Sequence, residues 1–196
     1  MKLRLRSMGI AACAGMVVLF LPLTGRAGAG TAAAPVGAAK AAAATAPNPN
    51  EGFLRTWKEI SGKIEVMAED FPEGKYDFKP TPEVRSFAEQ MLHVTGSIYY
   101  FRDILEGRQP KEEDEPKRAN FKSKAEIVAY AKKAIADGTA LLEKADFSKD
   151  IPRPQRAVNP FRFWSDFCEH AGEHYGQMVV YYRLNGIVPP DSRPKK

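Results

Sequence analysis

Nonpolar residues recur at steps of three and four along four stretches of the chain, and each stretch predicts an amphipathic helix. The first stretch follows Asn50, whose side chain can cap a helix, and it ends before the turn signal at residues 71–74. The second opens at residues 81–83, where a threonine hydroxyl can cap, a proline suits the first helical position and a glutamate follows. This second helix is predicted to continue to about Glu106.

The third and fourth stretches lie in the second half of the chain. The third begins with a capping-box sequence at residues 123–126 and runs to Leu142, with Gly138 as a weak position inside it. After a proline-rich connection, the fourth runs from about Phe161 to Leu184, where an Asn-Gly pair stops it.

No stretch of the chain shows the strict alternation that is typical of a strand. The predicted fold class is therefore all-α, with a four-helix bundle over residues 51–190 and a short C-terminal tail over residues 191–196. Residues 30–50 are mostly Ala, Gly, Pro and Thr, and this composition indicates a flexible linker that precedes the bundle.

The N-terminus, residues 1–29, has the order of features found in a signal peptide. A short cationic start is followed by a nonpolar run over about residues 8–23 and by an Ala-Gly-Ala cleavage sequence. The nonpolar run is shorter than the roughly 20 residues of a spanning helix, so we expect no stable membrane anchor after cleavage. The predicted location of the mature protein is periplasmic or extracellular.

The charge balance argues against nucleic acid as a partner. Four of the 29 basic residues lie in the predicted signal peptide, which contains no acid, and the rest are nearly balanced by 24 acidic residues. A protein that neutralises many phosphates needs a basic surplus on one face.

Of the two cysteines, Cys13 lies in the predicted signal peptide, so Cys168 has no partner for an internal disulfide.

The three histidines of the chain all fall on predicted helices. His170 and His174 are four residues apart and share one helix face, while His93 lies among nonpolar residues of the second helix. Three imidazoles from two facing helices can hold one divalent cation and leave coordination positions open for water or substrate. The alternative interpretation is that the histidines are hydrogen-bonded packing residues.

Residues 170–174 also match H-x-x-E-H, the inverted zinc-peptidase pattern, in which the glutamate is a general base. That pattern needs an acidic ligand well downstream on another helix, and only Asp191 follows in this chain. We therefore interpret Glu173 as an exposed helix residue, and the acidic run at 112–115 as a solvated loop.

Helical spacing singles out further residues as possible partners of the imidazoles: Glu89, Gln90, Tyr100, Asp166, Gln177 and Tyr181. Cys168 lies about 200° around the helix from His170, so we expect its thiol to point away from the site.

Two segments resemble the DinB-like family in the order and spacing of short motifs. Residues 71–94 contain FPEGKYDFKP, VRSF and QMLHV, and residues 169–190 contain EH, HYGQ and YRLNGIVPP. The resemblance covers about residues 53–190. It implies a four-helix bundle that holds a metal through one histidine of the second helix and two of the fourth, which here are His93, His170 and His174.

The resemblance also implies a metal-dependent enzyme, in some relatives one that uses a low-molecular-weight thiol, and a homodimer as a common state. Because a cytosolic thiol is scarce after export, the simplest hypothesis is an exported hydrolase that acts on an unknown small molecule. Zinc is the first choice of metal, and nickel, manganese or iron are also compatible with imidazole ligands. The alternatives are a thiol-dependent transferase and a metal- or partner-binding bundle without turnover.

Overall fold

The computed structural model describes residues 49–111 and 114–195, which form four α-helices joined by loops and short 3-10 turns. The helices are α1 (Pro49–Asp70), α2 (Phe87–Leu105), α3 (Lys124–Glu143) and α4 (Pro160–Leu184). Within these residues no strand is present, and one isolated antiparallel bridge joins Ile151 to Val158. The all-α prediction is confirmed for this part of the chain, whereas the predicted signal peptide and the linker up to residue 48 lie outside the described residues.

The described helices form a bundle in which, of the three consecutive pairs, only α2 and α3 pack closely against each other. α1 packs mainly against α3 and α4, and α2 packs mainly against the same two helices. The consecutive helices α1 and α2 therefore lie at opposite corners of the bundle. No helix of the described residues is long and nonpolar enough to cross a membrane.

Buried aromatic and aliphatic side chains from all four helices fill the core. Gly138, predicted to be a weak position of α3, is required by this packing. A Cβ atom at Gly138 would lie 3.0 Å from both Trp57 and Ile98 and 3.2 Å from Phe167. The Trp57 indole nitrogen donates to the hydroxyl of Thr139 at 2.9 Å, which fixes the ring beside the glycine.

The predicted start of α2 at residues 81–83 is wrong, because the helix begins at Phe87. Ser86 caps it in a complete capping box with Glu89, whose carboxylate accepts the Ser86 backbone N–H at 2.7 Å. The next two backbone N–H groups, those of Phe87 and Ala88, donate to carbonyl oxygens of the preceding loop at 3.1 and 2.8 Å. These tertiary hydrogen bonds satisfy the helix end at this point, so an earlier start would lose them.

The other helix ends lie close to the predictions, with differences in how they are capped. Asn50 lies inside α1, where its amide donates to the Ala145 carbonyl oxygen at 2.9 Å instead of capping the helix. Ser123 accepts the Glu126 backbone N–H as expected for α3, but the Glu126 carboxylate accepts from Lys122. Helix α4 starts one residue early, at Pro160, because a proline suits the first helical position.

Candidate metal centre

The contact between α2 and α4 brings the three histidines together. Their ring centroids are 5.3 Å apart for His93 and His170, 4.6 Å for His93 and His174, and 4.4 Å for His170 and His174. Each residue offers one ring nitrogen, and these three nitrogens lie within 4.8 Å of one another. Zinc–imidazole bonds are about 2.0–2.1 Å long, so small side-chain movements are enough for all three to reach one ion.

His170 has a buried nitrogen that the protein leaves unpaired. Its Nε2 is the one buried side-chain nitrogen or oxygen without a hydrogen-bond partner among the described residues. Burial, followed by the nearby His174, His93 and Arg85, lowers the pKa of His170 to about 4. At neutral pH the ring is therefore uncharged and carries a lone pair, which is the form that binds a metal ion.

His174 is buried and is held by two glutamine side chains. Its Nδ1 lies 2.9 Å from the Gln177 carbonyl oxygen and 2.5 Å from the Gln90 amide nitrogen, and Gln90 also donates to Gln177. The Gln177 oxygen can only accept a hydrogen bond from Nδ1 and the Gln90 amide nitrogen can only donate one, so the two contacts favour opposite tautomers of the ring. The tautomer with its proton on Nδ1, bonded to Gln177, is the one that leaves Nε2 free for a metal. Burial first, and then the neighbouring His93, lower the pKa of His174.

His93 is held by a carboxylate from the loop that joins α2 to α3. Its Nδ1 lies 2.8 Å from Glu115 Oε1, and the Arg85 guanidinium lies 3.6 Å from the same oxygen. A carboxylate can only accept, so this contact places the proton of a neutral His93 on Nδ1 and leaves Nε2 as the lone-pair atom. The prediction that residues 112–115 form only a solvated loop is wrong for Glu115.

Gly96 explains how this loop comes so close to α2. A Cβ atom at Gly96 would lie 2.6 Å from Cδ of Pro116, a separation that real side chains do not adopt. The missing side chain lets Pro116 sit on the helix one turn after His93, and the preceding residue, Glu115, then reaches the imidazole.

A cavity of about 420 Å³ opens beside the histidines, between α2, the start of α4 and the α2–α3 loop. His93 and His170 line it together with Glu115, and most of its remaining surface is nonpolar. Its other lining residues are Gly96, Ser97, Tyr99, Tyr100, Phe101, Asp103, Pro110, Lys111 and Asp114. A small molecule in this cavity therefore has direct access to two of the three imidazoles.

Comparison with known proteins assigns the family. The DinB superfamily model matches residues 57–178, a span that includes α2, α3 and most of α1 and α4 together with all three histidines. This chain belongs to the DinB superfamily. No match was found among curated proteins.

Solved structures of DinB-like proteins share the fold. A DinB-like protein from Bacillus cereus ATCC 10987 is 19% identical with a TM-score of 0.60, over 71% of this chain and 95% of that one. A DinB-like protein from Bacillus subtilis is 20% identical with a TM-score of 0.57, over 69% and 92%. YfiT from Bacillus subtilis, described as a probable metal-dependent hydrolase with an unusual four-helix bundle topology, is 15% identical with a TM-score of 0.55, over 70% and 88%.

The other residues singled out by spacing divide into two groups in this DinB-superfamily fold. Gln90 and Gln177 contact His174, and Tyr100 lines the cavity. The remaining candidates do not touch an imidazole. Glu89 pairs with Lys79 at 2.9 Å, Asp166 pairs with Arg162 at 2.8 Å, and the Tyr181 hydroxyl donates to the Arg85 carbonyl oxygen at 2.5 Å.

Two further predictions concern residues of α4. Glu173 is exposed, as expected, and accepts a hydrogen bond from the Gln177 amide at 3.2 Å. Cys168 is buried in the hydrophobic core and lies outside the histidine group. Burial raises the pKa of its thiol to about 11, so the sulfur is protonated at neutral pH and is a poor metal ligand.

Proposed function

We propose that this DinB-superfamily protein binds one divalent metal ion through His93, His170 and His174 and hydrolyses a small-molecule substrate at that ion. The observation that carries the proposal is the buried, unpaired Nε2 atom of His170, which lies beside two other imidazoles at the wall of a cavity. A buried nitrogen without a partner costs stability unless a ligand uses its lone pair.

The donor set supports a catalytic site over a closed structural one. Within the described residues, the group that can hold a metal contains three histidines and no cysteine, aspartate or glutamate as a fourth ligand. Structural zinc sites use four protein ligands, whereas catalytic sites use three and keep a position open. When bound, the metal lowers the pKa of a coordinated water and polarises a substrate carbonyl or phosphoryl oxygen.

The imidazole ligands favour zinc, and nickel, manganese and iron are also compatible, because affinity alone does not select among these ions. The chain's own side chains position two of the ligands: Glu115 contacts Nδ1 of His93, and Gln90 and Gln177 contact Nδ1 of His174. Because Nδ1 is engaged at both histidines, Nε2 is the ring nitrogen that would bind the metal.

The proposal includes export of the mature protein. Its support is the signal-peptide sequence of residues 1–29, which ends in Ala-Gly-Ala. Outside the cytoplasm water is abundant and low-molecular-weight thiols are scarce, which favours hydrolysis over thiol transfer. Mass spectrometry of the exported protein is expected to find an N-terminus near Gly30, and an intact Met1 would contradict export.

Elemental analysis of the purified protein after mild chelation and repletion tests the metal site. We expect one divalent metal per chain in the wild type and loss of most of it in His93→Ala and in His174→Ala. Glu169→Ala is the matched control, because Glu169 neighbours His170 but is exposed and makes no hydrogen bond to an imidazole. Unchanged metal content in the histidine variants would refute the site. Metal-dependent hydrolysis of ester, amide and phosphoester substrates then tests turnover, and bound metal without turnover would favour the non-catalytic alternative.

A further inference from the structure

We propose that the cavity beside His93 and His170 selects uncharged substrates that carry an aromatic or bulky alkyl group next to the hydrolysed ester or amide. This inference rests on the proposed metal-dependent hydrolysis and deepens it by naming the substrate class. Its basis is the arrangement of aromatic side chains, charges and open space around the two histidines that line the cavity.

Aromatic rings form a continuous surface that leads from the solvent to the histidines. Tyr100 is 46% exposed, and its ring centroid lies 5.8 Å from that of Phe101 in an edge-to-face arrangement. Phe101 in turn lies 6.4 Å from the ring of His170. A flat nonpolar group placed on these rings would bury its own surface and cover part of the exposed Tyr100, which is favourable in water.

The space available suits a group of that kind. The cavity of about 420 Å³ falls within the range of about 300–1,000 Å³ that is usual for small-molecule sites. His93 and Gly96 both line the cavity, about one turn apart on α2, so the open space reaches the imidazole. A reactive carbonyl next to the nonpolar group would therefore lie near the histidines when the group occupies the cavity.

The charges around the cavity disfavour anionic substrates. Three carboxylates, those of Asp103, Asp114 and Glu115, line it together with one lysine. Asp103 is paired with Arg102 and Arg108, and Glu115 with Arg85 and His93. Within the described residues Asp114 accepts only a backbone N–H, so a negative group on the substrate would meet the charge of this carboxylate. A larger groove of about 630 Å³ on the other side of Glu115 contains four basic residues, but none of the three histidines lines it. The basic groove therefore does not present a substrate to the proposed metal.

Paired hydroxamates test this inference on the metal-loaded protein, because they bind a metal ion through the same two oxygens and differ in the attached group. We expect benzohydroxamate to bind about tenfold more tightly than acetohydroxamate, since its phenyl ring buries nonpolar surface in the cavity. A 4-carboxylate on the phenyl ring is expected to remove this advantage. In Tyr100→Ala the preference for the phenyl group should fall several-fold, while the affinity for acetohydroxamate stays at the wild-type value.

Val180→Ala serves as the matched control, because Val180 is 51% exposed and lies outside the cavity lining. Its preference between the two hydroxamates is expected to equal that of the wild type. Equal affinities of the wild type for both hydroxamates would overturn the substrate class and leave the metal site intact. Absence of bound metal would instead refute the proposed function.

A second measurement does not require the metal. The uncharged fluorophore N-phenyl-1-naphthylamine should bind the metal-free wild type with increased emission, and the increase should be smaller in Tyr100→Ala than in Val180→Ala. An emission that does not depend on Tyr100 would overturn the inference, whatever the metal content of the protein.

Discussion

Replacing Glu115 by glutamine tests how the loop between α2 and α3 contributes to metal binding. Glu115 Oε1 lies 2.8 Å from Nδ1 of His93, so the carboxylate accepts a hydrogen bond from this nitrogen and leaves the opposite nitrogen for the proposed metal. Glutamine keeps the size of the side chain and one carbonyl acceptor but removes the negative charge. Glu115→Gln therefore isolates the contribution of the charge to metal affinity.

The expected magnitude follows from the strength and the exposure of this hydrogen bond. Bonds to charged groups contribute about 1.5–3 kcal/mol and neutral ones about 0.5–1.5 kcal/mol, so loss of the charge costs about 1 kcal/mol. This corresponds to about a fivefold increase in the metal Kd. Removal of a side chain that holds a metal ligand typically weakens metal binding about 10–100-fold. Because the Glu115 side chain is 37% exposed, we expect Glu115→Ala to raise the metal Kd by about tenfold, at the lower end of this range.

The assay is competition between the protein and a chromophoric chelator, which gives the metal Kd of each variant. Glu89→Gln is the matched control, because it removes the same charge from α2, one turn before His93, without touching an imidazole. Glutamine also preserves the capping box with Ser86, so this control should keep both the fold and the wild-type Kd. A wild-type Kd in Glu115→Gln and in Glu115→Ala would refute the proposed role of the carboxylate.

Gly96→Ala provides an independent route to the same effect. Its Cβ would lie 2.6 Å from Pro116, so the loop must move away and take Glu115 from His93. We expect weaker metal binding although Glu115 is still present. Combining Gly96→Ala with Glu115→Gln should then add little to either single change, because both act through one contact. Additive losses would show that the glycine affects the site in another way.

Three further predictions concern stability. Gly138→Ala should destabilise the fold by about 1–2 kcal/mol in urea unfolding, because its Cβ would lie 3.0 Å from Trp57. Gly62→Ala should instead stabilise the fold by about 0.5–1 kcal/mol, because nothing lies within 4 Å of its Cβ. His170→Leu should raise the melting temperature of the metal-free protein, because it removes an unpaired buried nitrogen, and should abolish stabilisation by metal. The hydrogen bond from Arg193 lowers the pKa of Asp70 below its usual value. The stability that this pair adds is therefore complete above the pKa of Asp70 in the unfolded chain. It is lost as the pH falls through the lower pKa of Asp70 in the folded protein. Acid titration should therefore show wild type and Asp70→Asn converging in stability at low pH.

Local sequence patterns predict four helices and single out Gln90 and Gln177 among several possible partners of the imidazoles. Gln90 precedes His93 by three residues and Gln177 follows His174 by three, so helical geometry alone places each on the side of a histidine. The structure adds that both glutamines meet at His174. This convergence depends on how α2 packs against α4, which the spacing within one helix does not specify.

Features that depend on contacts between distant segments could not be predicted in this way. Helix α2 is capped by Ser86 and not by the predicted pattern at residues 81–83, because the loop at residues 76–78 satisfies the next backbone N–H groups. Glu115 lies in an acidic run whose local pattern indicates only a solvated loop. Its contact with His93 depends on the close approach of Pro116 to Gly96, and neither residue signals this by itself.

Packing alone does not account for a histidine at position 170. A leucine of similar size would fill the same space without a buried nitrogen, whose lack of a partner costs about 1–3 kcal/mol. A metal ion, catalytic or structural, would offset this cost by binding the lone pair. A structural metal site, however, is closed by four protein ligands. Here the described residues supply three imidazoles, and two of them line a cavity large enough for a small molecule. An unpaired nitrogen, three imidazoles and an open cavity at one place are together expected of a site that exchanges substrate, since none of the three improves the stability of the bundle without a ligand.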